Sequence, residues 1–135
     1  MRYNKLMFSP ILKRIVSLEY VIIAILTAVF FVEISGFAWY WLVLLFLVVD
    51  ISAAGYLSSP KLGALTYNLG HSLIGPGLLA TVYISTSSQV ILFVTLLWLF
   101  HIFVDRALGY GLKHSTSFNH THLGPIGKAK KTYKK

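Results

Sequence analysis

Cysteine is absent from all 135 residues, which excludes disulfides and thiolate ligands. Any metal site in this chain must use histidine, carboxylate or other oxygen donors, and the redox compartment is left open. Acidic residues are nearly absent as well. Glu19, Glu33, Asp50 and Asp105 are the only carboxylate side chains, set against 12 Lys and Arg for a net charge of +8. With 56% hydrophobic residues and a mean hydropathy of +0.72, the chain has too little polar surface to cover a soluble fold. An integral membrane protein is expected, with room for about four helices of roughly 20 residues each and none for a separate soluble catalytic domain.

The apolar stretches divide accordingly. Ser9-Pro10 is a favourable N-cap and first-turn pair, opening a segment that runs to about Ile34. Its apolar run is too long for a signal peptide and has no small-x-small cleavage site, so it is expected to stay as an anchor. Segment two covers about Phe37 to Leu57, with Trp39, Tyr40 and Trp41 as an interfacial belt. Segment three, about Leu62 to Ile84, carries Gly75-Pro76-Gly77. Pro76 has no N–H for the Ser72 carbonyl, so a kink or break is expected there. Segment four runs from about Val90 to Leu108. Four spans put both basic ends and Lys61 on one side, which predicts an all-α four-helix membrane bundle with cytoplasmic termini, a multi-pass protein of the cell membrane.

Ionisable groups inside a bilayer are costly, so each is asked for a partner. Counted from the cytoplasmic end of each helix, Asp50 and His101 fall ~10 Å deep, His71 ~13 Å, and Asp105 and Glu19 ~5 Å. His101 and Asp105 share one helix face at i, i+4. Asn68 and His71 stand at i, i+3, and Tyr67 and His71 at i, i+4. The expectation is one polar pocket on the cytoplasmic side. Imidazole and carboxylate at this spacing can supply two metal ligands or simply fix a histidine tautomer, and both alternatives stand. Glu19 is expected to pair with Lys13 and Arg14, Glu33 to sit solvated, Tyr56 and Tyr67 to act as interfacial anchors, and Trp98 to pack.

Residues 109–127 are expected to form an ordered segment beneath residues 1–108, and 128–135 a basic disordered tail touching anionic lipid headgroups. Nucleic acid is a poor partner for want of an aromatic platform; self-association is open. "YNLGHSLIGP" at 67–76, "DRALGYGLK" at 105–113 and "THLG" at 121–124 resemble the signatures of small bacterial and archaeal integral membrane proteins, domain of unknown function 4260. The resemblance implies a four-helix membrane fold and no established reaction. It directs attention to Asp50, His71, His101, Asp105, Lys113 and His122 rather than to His114 or His120. A looser likeness in layout is to membrane-bound metal-dependent hydrolases.

The leading expectation is therefore a membrane enzyme on a lipid-borne or phosphorylated substrate. Asp50, His71, His101 and Asp105 would form a catalytic or divalent-metal centre, with Lys113, His122 and Asn68 on the substrate side. The alternatives are an ion or proton transporter component, or a structural interaction protein in which the cluster fixes helix register.

Overall fold

The computed structural model describes residues 10–126. Helix α1 (Pro10–Val29) continues into a π-helical turn at Phe30–Ile34. Helix α2 (Tyr40–Leu44) leads into a 3-10 helix at Phe46–Leu57. Three helices follow: α3 (Pro60–His71), α4 (Ile74–Thr86) and α5 (Gln89–Leu108). Three stretches are long and apolar enough to cross a membrane: Pro10–Ile34, Tyr40–Leu57 and Gln89–Leu108. Most of their large apolar side chains face outward, as expected of a bundle whose solvent is lipid. Trp39, Tyr40 and Trp41 are exposed at the start of α2, where a belt was expected. The Ser9 cap and the 128–135 tail lie outside the described residues.

Helices α1 and α5 pack antiparallel, bringing Tyr20 to 6.1 Å from Phe103 and Phe31 to 5.4 Å from Phe93 between ring centroids. The π-helical turn widens the backbone where Phe31 enters the core. There Phe31 is fully buried with Leu42, Leu92, Leu96 and Leu97. Phe31→Ala is expected to lower stability by roughly 3 kcal/mol through the cavity it leaves, read as thermal unfolding in detergent.

The expected third span is two helices. Ser72 is extended (φ −88, ψ 153), ending α3 four residues before Pro76, which sits in the first turn of α4. The ring of Pro76 would clash with the Ser72 carbonyl in a continuous helix and gives it no donor, so the chain breaks at that carbonyl. The new α3 starts on a Ser-Pro pair, with the Ser59 hydroxyl accepting from the Leu62 amide at 3.2 Å.

The second departure from expectation is the winding of residues 46–57. In a 3-10 helix each residue turns the chain by ~120°, so Phe46, Val49, Ser52 and Gly55 line one face. That face meets α3. Gly55 and Gly63 let the two backbones touch: a Cβ on Gly55 would lie 2.9 Å from the Leu62 carbonyl oxygen. The third departure lies in the segment after α5. Gly109 takes φ +88 and closes α5 through bonds from its own amide to Arg106 and from the Tyr110 amide to Asp105. Beyond it, β1 (Lys113–His114), β2 (Ser117–Thr121) and β3 (Gly124–Pro125) make a three-stranded antiparallel sheet. The fold is thus not purely α.

Candidate metal centre

Four side chains from three elements converge beside the broken helix. Asp50 comes from the 3-10 helix, His71 from the last residue of α3, and His101 and Asp105 from α5. One ligand atom of each lies within 4.8 Å of all the others. The two imidazole Nε2 atoms are 3.1 Å apart. From His71 Nε2 it is 3.3 Å to Asp50 Oδ1 and 3.5 Å to Asp105 Oδ2. From His101 Nε2 the same oxygens lie at 3.7 and 3.9 Å. Ligands about 2.0–2.2 Å from a tetrahedral ion stand about 3.3–3.6 Å apart, so these five separations come close to what one divalent ion requires.

The ring nitrogens on the far side settle which atom carries the proton. His101 Nδ1 lies 2.7 Å from the Phe46 carbonyl, and His71 Nδ1 lies 3.0 Å from the Tyr67 carbonyl and 3.3 Å from Ser52 Oγ. A carbonyl only accepts, so both Nδ1 atoms are donors and, in the neutral rings, both Nε2 atoms are lone pairs. Two lone pairs facing each other at 3.1 Å beside two carboxylates repel unless a cation stands between them. That cation is a metal ion or one shared proton. Backbone carbonyls that hold the outer nitrogen are the usual support for imidazole ligands.

The surroundings stiffen this arrangement. His71 and His101 are almost fully buried, while the Asp50 side chain is 41% exposed and forms the open side. Tyr67 donates to Asp105 Oδ2 at 3.1 Å, and its ring stacks on His71 at 3.7 Å between centroids. Tyr67 is therefore a buried support of the site, not the interfacial anchor expected of it. Trp98 packs and also donates to the Gly70 carbonyl at 2.5 Å, and Arg106 donates to the His71 carbonyl at 3.0 Å. These two bonds occupy the carbonyls at the broken end of α3.

Lys113 lies beyond Tyr67. Its ammonium is buried with no hydrogen-bond partner among the described residues, and sits 3.9 Å from the Phe118 ring centroid and 4.9 Å from that of Tyr67. Asn68 holds it there from the backbone, accepting from the Lys113 amide at 2.7 Å and donating to its carbonyl at 2.9 Å. Both ends of the Asn68 amide are thereby used. Burial pushes the Lys113 amine down to about 8 from its ordinary 10.5. Because the unfolded chain holds that proton longer, stability is expected to rise between about pH 8 and 10.5. Lys113→Met should accordingly raise thermal stability at pH 7, by about 1–3 kcal/mol, by removing a buried ammonium that has no hydrogen-bond partner among the described residues. A fall in melting temperature instead would make the aromatic cage itself a structural cation–π device.

His122 lies apart from the four converging residues. Its Nδ1 accepts from the Leu112 amide at 2.8 Å, and its ring faces a cavity between α1 and the end of α5. His114 is exposed on β1, His120 lies on β2, and Glu19 and Glu33 point outward from α1 and its π-helical turn. None of these four belongs to the cluster.

Tyr67, Ser52 and Arg106 were not anticipated as parts of the site. The Tyr67–His71 spacing was a usable signal; the contacts of Ser52 and Arg106 depend on the 3-10 winding and the helix break, and had none.

No curated protein and no solved structure matches the chain. A family model does match, over residues 13–126, nearly the whole described length, and the chain belongs to that family, a domain of unknown function (DUF4260).

Proposed function

We propose that this chain is a multi-pass membrane enzyme in which Asp50, His71, His101 and Asp105 bind one divalent metal ion and act on a phosphorylated, lipid-borne substrate. Both termini are taken as cytoplasmic. The observation that carries the reading is the pair of Nε2 lone pairs 3.1 Å apart, each ring pinned through Nδ1. Two imidazoles with two carboxylates and no sulfur suit zinc or a similar first-row ion.

A bound ion of this kind lowers the pKa of water and polarises a phosphoryl or carbonyl oxygen. The protein's own part is position. Asp50, on the open side, is the ligand best placed to give way to substrate or to take a proton from water. Asp105 is held by Tyr67 and stays in place. Lys113, buried behind Tyr67 with no hydrogen-bond partner among the described residues, supplies the positive contact for an anionic group. An ion or proton relay would use the same four side chains. It is disfavoured because the last two carbonyls at the broken end of α3, those of Gly70 and His71, which a transporter would turn toward an ion, are taken by Trp98 and Arg106.

Elemental analysis of the detergent-purified full-length protein tests the reading. About one zinc or comparable ion per chain is expected, with release of phosphate from a phosphorylated lipid that stops on chelation and returns with metal. A protein that binds no divalent ion even when supplied with one overturns it.

A further inference from the structure

A second feature lies beside the end of α5. A cavity of about 400 Å³ opens between the start of α1, the end of α5 and the strand segment. Its walls carry two kinds of chemistry. Leu12, Val16, Leu108 and Ile126 are apolar, whereas Lys13, Arg106 and His122 are basic, and no carboxylate among the described residues lines it.

Arg106 decides what belongs there. Its side chain is 7% exposed and always charged. It donates to the carbonyls of Tyr110 at 3.3 Å and His71 at 3.0 Å, yet forms no ion pair with a carboxylate among the described residues. The carbonyl end of α3 offsets only about half a charge. A permanent cation in so buried a place calls for an anion, and the other two basic residues face the same space. Burial and then the charge of Arg106 hold the His122 imidazole below its ordinary pKa, as expected of a cavity that is positive before an anion enters.

The cavity's level in the membrane supplies the rest. It sits where α5 ends at Leu108–Gly109, the boundary between acyl chains and headgroups if α5 spans the bilayer. We propose that this cavity binds the phosphate of one anionic phospholipid, with the phosphate among Lys13, Arg106 and His122 and an acyl chain along Leu12 and Val16. A planar guanidinium is well matched to phosphate oxygens. This cavity touches the metal centre through the Arg106 bond to the His71 carbonyl but uses none of its four ligands, and stands whether or not a metal binds.

The test uses full-length protein in phosphatidylcholine nanodiscs or micelles, with native mass spectrometry counting retained lipid as phosphatidate is added. In chelated protein, where the metal centre takes no phosphorylated lipid, one phosphatidate per chain is expected, held at least tenfold more tightly than phosphatidylcholine. Lys13→Gln and His122→Gln, each on a partly or fully accessible side chain, should weaken it about tenfold. Because chelator is present throughout, this binding is separate from any at the metal centre. Phosphatidate held no better than phosphatidylcholine, or unaffected by the Lys13 and His122 substitutions, overturns the proposal. Inorganic phosphate binding as tightly as phosphatidate, and displacing it at equal concentration, overturns the lipid as the source and assigns the site to soluble phosphate.

Discussion

Replacing His101 with alanine is expected to reduce divalent-metal affinity by more than a hundredfold, since loss of even an outer support of a ligand costs about 10–100-fold. His71→Ala should do the same, because the two Nε2 atoms face each other at 3.1 Å and neither has a substitute nearby. Stability gives a second measurement. Metal at 1,000 times its dissociation constant adds about 4 kcal/mol to the folded state, so chelation should lower the melting temperature of the wild type by several degrees. His101→Ala should show no further response to chelator. Protons compete for the same two lone pairs, so metal binding is expected to weaken as pH falls and to strengthen as it rises toward neutrality. Metal content measured across a pH series, together with melting with and without chelator, checks all of this. An unaltered metal content in both alanine variants would sink the four-residue centre.

Gly55→Leu is expected to be the most disruptive substitution outside the cluster. Even a Cβ at Gly55 would meet the Leu62 carbonyl oxygen at 2.9 Å and the Gly63 Cα at 3.1 Å, which are backbone atoms and cannot swing aside. The 3-10 helix and α3 would have to separate. Asp50 rides on the first and His71 on the second, so separation opens their 3.3 Å contact. Overpacking of this kind costs about 1–3 kcal/mol or more, and here it should also weaken metal binding although Gly55 touches no ligand. Gly77→Ala is the control. A Cβ there meets nothing within 4 Å and the position is helical, so the change should be neutral or stabilising by up to about 1 kcal/mol. Thermal unfolding and metal content of the two variants, measured together, distinguish a packing effect from general intolerance of side chains.

A similar height for Asp50, His71, His101 and Asp105 was expected because each apolar segment supplies its own ruler at ~1.5 Å per residue, and the four do meet. Depth is only one coordinate. Whether four groups at similar depth face one another depends on how each helix is rotated, and for residues 46–57 rotation could not be read. An α-helix turns ~100° per residue and a 3-10 helix ~120°, so over the nine residues from Phe46 to Gly55 the two windings differ by about half a turn. The Phe46 carbonyl reaches His101 and Gly55 meets α3 on one common face only because the winding is 3-10.

By itself, the sequence determined the apolar segments long enough to cross a membrane, the i, i+4 pair of His101 and Asp105, and the interruption ahead of Pro76. These follow from composition, local spacing and the missing N–H of a proline. The tertiary structure alone decided that the four ligand atoms meet within 4.8 Å, that Tyr67 rather than solvent holds Asp105, that Lys113 ends among aromatic rings, and that His122 faces another cavity with Arg106. Each of those depends on residues tens of positions apart being brought into register by a winding and a break whose angles no local pattern encodes.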